Sequence, residues 1–269
     1  MLAARILTAV ILGPLVVAGI LYLPPLLMQG FLTVFIFIAA FEWASLAGAR
    51  TSASRWFYAF LTVVLAVTLH RIIRSPAAEY GLLILACMWW AVAAVWIVHY
   101  QMREAPRLQS GIGIAILGWV VLIPAWIAVY FLLVRWPSLL IALLALVWSA
   151  DILAFFGGRA LGRRRLASRI SPGKTWEGLV IGLIGTLILA AIWTALLKPA
   201  SLAVVLVIVA ATLIASVVGD LLESLVKRGC GKKDSGSILP GHGGILDRID
   251  SLLAAAPVFT VGFISAGQQ

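Results

Sequence analysis

Long apolar runs separated by short polar stretches make up most of this chain. They fall at about residues 6–23, 26–48, 56–70, 81–99, 111–134, 138–156, 177–197, 202–223 and 245–265. Most approach the roughly 20 residues that a helix needs to cross about 30 Å of hydrocarbon. The pattern predicts an all-α polytopic membrane protein with about nine transmembrane helices. The third run is short and the ninth opens on charged residues, so a count of eight is also compatible with it. Only Arg5 precedes the first run as a basic residue, and no small-residue cleavage signal follows, which predicts a retained helix rather than a removed signal peptide. No stretch reads as a soluble domain.

Composition agrees with the pattern: 63% of the residues are hydrophobic and 11% charged, with a mean hydropathy of +1.12. The charges then orient the spans. With the N-terminus inside, sixteen of the twenty Lys and Arg residues fall on the cytoplasmic side, leaving only Arg71, Arg74, Arg135 and Lys198 outside. This predicts a cytoplasmic N-terminus and, for nine spans, an external C-terminus. Much of the +10 net charge is thereby accounted for by topology, and nucleic acid is not expected as a partner. Cys87 and Cys230 are placed for neither a disulfide nor a metal site.

The acids are distributed unevenly. Seven of the ten lie between positions 151 and 250: Asp151, Glu177, Asp220, Glu223, Asp234, Asp247 and Asp250. The other three, Glu42, Glu79 and Glu104, fall near predicted membrane edges or loops. No internal repeat is visible. We therefore expect a scaffold of about five helices over 1–137 and a catalytic portion over 138–269, with cytoplasmic loops at 157–176 and 225–244.

Within the eighth run, Asp220, Glu223, Ser224 and Lys227 follow i, i+3, i+4, i+7 spacing and share one helical stripe. Ionised carboxylates in a span face the bundle interior, paired or bound to a cation. Asp247 and Asp250 repeat the i, i+3 spacing where the ninth run begins, and the glycine-rich stretch between can fold back to join the two stripes. Four carboxylates without Cys or clustered His suit Mg²⁺. Salt bridges to Lys227, Arg228 and Arg248 are the simpler alternative. Lys227, Arg228, Lys232, Lys233 and Arg248, set among glycines, offer donors for a phosphate-rich ligand, or else anchor the chain to anionic headgroups. His242, between glycines, is placed to donate to a phosphate or adjust a leaving group's charge.

A second basic patch, GGRALGRRRLASRISPGKTWEG (157–178), joins the sixth and seventh runs. It lacks the leading glycine of a Walker loop, no strand is expected before it, and a Walker nucleotide fold is rejected. Ser171, Lys174 and Thr175 stand just before a helix start, where amides and the dipole favour anions. Glu177 reads as an N-terminal capping acid. Asp151, alone in an uncharged stretch, is harder to explain as structure.

At these residues the chain resembles a known family. SLVKRGCGKKDSGSILPGHGGILDRID, from Ser224 to Asp250, is similar to the signature of the phosphatidate cytidylyltransferases, or CDP-diacylglycerol synthases. SPGKTWEG, from Ser171 to Gly178, resembles their second characteristic stretch, with Gly173 where a further Lys is often written. The detailed resemblance covers about residues 150–251. It implies a nucleotidyltransferase of phospholipid biosynthesis that converts CTP and phosphatidate into CDP-diacylglycerol and pyrophosphate with Mg²⁺. It implies metal binding by Asp220 and Asp247, to which we add Glu223 and Asp250 as further ligands or supports. Lys227 and His242 are then expected to act in catalysis with the two aspartates. Ser171, Lys174, Thr175, Ser224, Arg228, Lys233 and Arg248 are expected to bind substrates. The sequence leaves open one metal ion or two, a monovalent ion beside them, and a homodimer. Membrane lipids surround such a protein, and its size points to a bacterial inner membrane, with the site at the cytoplasmic boundary.

Three rivals differ in chemistry. A CTP-dependent lipid-alcohol kinase would need a base for a hydroxyl nucleophile. A CDP-alcohol phosphotransferase would show a DGxxAR motif, which this chain lacks. A transporter would place its charges near the bilayer midplane and often carry repeats.

Overall fold

In the computed structural model, residues 13–73, 75–102, 110–197, 200–236 and 243–267 are described. Helix α1 is described over Gly13–Tyr22. It is followed by α2 (Pro25–Leu46), α3 (Ser52–Ile72), α4 (Pro76–Met102), α5 (Ile112–Arg135) and α6 (Pro137–Leu161). Strands β1 (Arg165–Ala167) and β2 (Ser171–Thr175) come next, then α7 (Trp176–Leu197), α8 (Leu202–Gly229) and α9 (Leu246–Ser265). Among the described residues, eight helices are long and apolar enough to cross a membrane, and Gly13–Tyr22 is a shorter apolar helix. The protein is an all-α polytopic membrane protein, as the hydropathy pattern predicts.

Sequence explains the helix ends. Pro25 and Pro137 sit at helix starts, where the missing N–H has no partner to lose. Thr51 caps α3 by accepting from the Ser54 N–H. Lipid-facing stripes follow the helical period: Leu85, Met88, Val92 and Val95 on α4, and Ile184, Ile188 and Ile192 on α7, are all exposed.

Helix α9 is the centre of the bundle, touching α2, α4, α5, α6 and α8. Ala254, Ala255, Ala256, Phe259 and Phe263 are fully enclosed on it. Small residues set the closest approaches. Gly178 lies against the Ala154 carbonyl, and Gly182 against the Ala150 carbonyl, where α6 and α7 run antiparallel. A Cβ on Gly219 would stand 2.5 Å from the Asp250 carbonyl oxygen, so this glycine allows α8 to press against the first turns of α9.

Helices run further into the predicted loops than hydropathy indicates. Helix α6 continues to Leu161 and α8 to Gly229, so Lys227 and Arg228 are helical rather than part of a loop from 225. A hydropathy window ends a span at its first charges, but a helix persists while its backbone bonds do. At 28 residues and 1.5 Å per residue, α8 is about 42 Å long and exceeds the hydrocarbon thickness. The 157–176 segment holds an antiparallel hairpin, Arg165 opposite Thr175 and Ala167 opposite Ser171. This corrects the expectation of no strand before Lys174. The hairpin is not a strand–loop–helix nucleotide fold, and the exclusion of a Walker fold stands.

Candidate active site at the junction of α8, α9 and the hairpin

The stripe on α8 and the start of α9 face each other, as the two i, i+3 spacings require. Lys227 Nζ lies 2.6 Å from Glu223 Oε2 and 2.6 Å from Asp247 Oδ1. Glu223 and Lys227 are buried. Toward Asp247 the ammonium donates a hydrogen bond. Toward Glu223 the contact is an ion pair without hydrogen-bond alignment, and neither Glu223 oxygen has a hydrogen-bond partner. On the same stripe, Lys174 of β2 reaches Asp220 Oδ2 at 2.5 Å, and Ser224 Oγ donates to Asp220 Oδ1 at 3.3 Å. These side chains are more open: Lys174 is 27% exposed and Asp220 24%, against 1% for Glu223. The site therefore has an enclosed side at Lys227 and an accessible one at Lys174.

Asp247 is also bound by backbone. Its Oδ2 accepts from Gly244 N at 2.8 Å and Ser235 N at 3.1 Å. Gly243 has φ +81°, a left-handed conformation that glycine adopts without strain, and it turns the chain into α9 beside this carboxylate. Asp250 lies within electrostatic reach of Asp220, Glu223 and Lys174. Asp151 of α6 joins the same group, interacting with Lys174, Asp220 and Ser251.

The structure distributes the remaining expected site residues more widely. Thr175 is buried, and its hydroxyl accepts from Gly178 N at 3.1 Å, capping α7. Glu177 accepts from the Arg163 and Arg164 amides and ties the hairpin base to α7. Ser171 is half-buried on β2 opposite Ala167. Arg228 donates through Nε to the Ile170 carbonyl at 3.4 Å, bracing the hairpin turn against α8. Lys233 and Arg248 are exposed, and His242 lies outside the described residues. Lys232 donates to the Ser45 carbonyl at 2.7 Å and to the Ser45 hydroxyl at 2.8 Å. Burial, and then repulsion from Arg55, lower the pKa of its ammonium.

Two participants escaped the sequence reading. Asp151 stood out as a lone acid but had no assigned partner. Glu42 was read as lying near a membrane edge, yet it is 2% exposed and bonded to Ser235, Ile245 and Leu246. An ionisable residue inside an apolar run was the available signal.

All-oxygen donors suit a hard cation, and the buried Glu223 carboxylate, whose Oε1 has no hydrogen-bond partner, fits one. Among the described residues, however, no three His, Cys, Asp or Glu groups are gathered closely enough to hold a metal ion. Lysine ammoniums stand between the carboxylates instead.

Comparison with known proteins assigns the family. The chain is 41% identical to a phosphatidate cytidylyltransferase of Pseudomonas aeruginosa over 276 aligned residues, covering 99% of this chain and 98% of that protein. It is 33% identical to the Haemophilus influenzae phosphatidate cytidylyltransferase, with 97% and 98% covered. The Brucella suis protein of the same name is 34% identical over 95% of this chain and 90% of its own length. Residues 3–265 match the Cytidylyltransferase family, and the chain, from its first helix to its last, belongs to that family.

Proposed function

We propose that this protein is a phosphatidate cytidylyltransferase, converting CTP and phosphatidate into CDP-diacylglycerol and pyrophosphate. The observation that carries the reading is the network Lys174–Asp220 and Glu223–Lys227–Asp247, built from two helices and a hairpin at one end of a membrane bundle. Near-full-length similarity to proteins of that name supports it. One substrate is held in the bilayer by acyl chains and the other is a dissolved polyanion. A reaction between them needs charge at the membrane boundary, and α8 supplies it: Asp220 lies nine residues, about 13 Å, before the helix end at Gly229.

A phosphate oxygen of phosphatidate attacks the α-phosphorus of CTP. The new P–O bond forms as the bond to the β-phosphate breaks, and pyrophosphate leaves with the electron pair. A phosphomonoester is largely ionised near neutral pH, its second pKa being about 6, so no strong base is required. The protein's task is to position the two phosphates and offset their charge. Lys174, on the accessible side, meets an incoming phosphate. Lys227, enclosed between Glu223 and Asp247, keeps those carboxylates in place. Mg²⁺ would be held by Asp220 and Asp247, supported by Glu223 and Asp250, and would neutralise triphosphate charge when bound.

We read the site end as cytoplasmic, since its excess of basic residues fits the positive-inside rule, and the membrane as a bacterial inner membrane. The portion from 138 onward carries the chemistry, and the earlier helices support it. The deciding experiment supplies α-³²P CTP and phosphatidate to detergent-purified protein, with Mg²⁺ present or chelated. The expected outcome is metal-dependent labelled lipid with one pyrophosphate released per turnover. A folded protein that binds CTP but never labels lipid from α-³²P CTP would sink the proposal, and lipid labelled from γ-³²P CTP instead would point to the kinase.

A further inference from the structure

We infer that Glu42, on the scaffold helix α2, is a positioning residue for this reaction: it holds the segment whose amides fix Asp247. The inference rests on the cytidylyltransferase reading above and extends the working unit into the N-terminal half. Helix α9 starts at Leu246, and its N-cap residue Ile245 provides no side-chain cap. Its first N–H groups therefore need an outside acceptor. Glu42 is that acceptor, 203 and 204 positions earlier in the chain: Oε1 takes Ile245 N at 3.1 Å and Oε2 takes Leu246 N at 2.8 Å. The same Oε2 accepts from Ser235 Oγ at 3.0 Å.

These three donors are neighbours of those that hold Asp247. Ser235 gives its hydroxyl to Glu42 and its amide to Asp247. Gly244, whose amide bonds Asp247, directly precedes Ile245, whose amide bonds Glu42. One buried carboxylate thus bonds Ser235 and Ile245, at and next to the two amides that hold a second carboxylate, the one paired to Lys227. Gly236 and Gly244 lie so close to the Glu42 carboxylate that a Cβ on either would overlap it. Helix α2 is itself well anchored: Trp43 Nε1 donates to the Ile114 carbonyl at 2.7 Å, and Cys230 Sγ and Lys232 Nζ bond the Leu46 and Ser45 carbonyls.

A helix cap alone would affect stability and leave the turnover of folded protein unchanged; a positioning residue affects turnover. E42Q cannot accept from both sides, and G236A leaves Glu42 intact but pushes its carboxylate aside. Both are compared with wild type for kcat, for KM of each substrate, and for hydrogen exchange over residues 243–250, at a temperature where each variant is folded. The expected result is a kcat lower by about 10- to 100-fold, KM for phosphatidate within about threefold, and faster exchange confined to that segment. Wild-type kcat in folded E42Q, or a loss that follows only the folded fraction, overturns the inference. If E42Q does not fold, G236A decides by the same criteria. If wild type itself transfers no cytidylyl group, the functional reading fails, and exchange alone judges Glu42: an unchanged rate over 243–250 refutes its hold on the segment.

Discussion

Two clusters of buried charge occupy opposite ends of this bundle. At one, Glu79 of α4 meets His70 of α3 at 3.5 Å and Arg135 of α5 at 3.8 Å, beside a cavity of about 180 Å³ that Tyr130 and Phe131 also line. At the other, Lys174 and Lys227 hold Asp220, Glu223 and Asp247 at 2.5–2.6 Å. Burial does not distinguish them, since the Glu79 side chain is 10% exposed and that of Asp247 12%. The backbone does. Asp247 accepts the amides of Ser235 and Gly244, and Glu42 in turn accepts from the Ser235 hydroxyl and the Ile245 amide. The distal cluster is formed by side chains on three helices at longer distances. Burial alone therefore does not separate the candidate site from the distal cluster; carboxylates fixed by amides, next to an accessible lysine, do.

The sharpest way to break that contrast is to remove its central cation. Lys227→Met leaves Glu223 and Asp247 facing each other without compensation, and should cost about 3–5 kcal/mol of stability. The midpoint of unfolding in detergent measures it, and Glu223→Gln in the same background should recover part of the loss. A midpoint equal to wild type would mean the triad is not formed. Next in size, Asp247→Asn keeps the volume but weakens the contacts to Lys227 and the two amides. It should lower kcat by about 10²–10³-fold in the lipid-labelling assay, and retained turnover would remove Asp247 from the mechanism. Thr175→Val deletes the cap of α7 and should destabilise by about 1 kcal/mol. KM for CTP should stay within about twofold if the hydroxyl serves only as the acceptor for Gly178 N. A large KM change would return Thr175 to the substrate site. The smallest effect belongs to Glu79→Gln, expected to leave kcat/KM within about twofold; a larger loss would show that the distal cluster communicates with the reaction and erase the distinction.

Most of the site was legible before the fold was known, for a local reason. Helical spacing places Asp220, Glu223, Ser224 and Lys227 on one stripe whatever surrounds them, and the same holds for Asp247 and Asp250. Their meeting was foreseeable from the short, glycine-rich connection. The substrate role expected of Thr175 came from its place before a helix; that place equally suits a cap, and the bond from Gly178 N shows the cap. The hairpin escaped notice because five residues ending in Gly-Lys-Thr have no alternating apolar pattern to announce a strand.

What the sequence by itself determined is the class of molecule, the stripe of charge and the family, because hydropathy, period and motif spacing are properties of neighbours along the chain. What only the tertiary structure decided is which charges pair across elements: Lys174 of the hairpin with Asp220, Lys227 with both Glu223 and Asp247, and Glu42 with amides about two hundred positions away. Such pairs depend on how closely the helices approach. Gly219 against α9, and Gly236 and Gly244 against Glu42, set that approach through atoms they lack, and the fold alone reveals where a missing side chain matters.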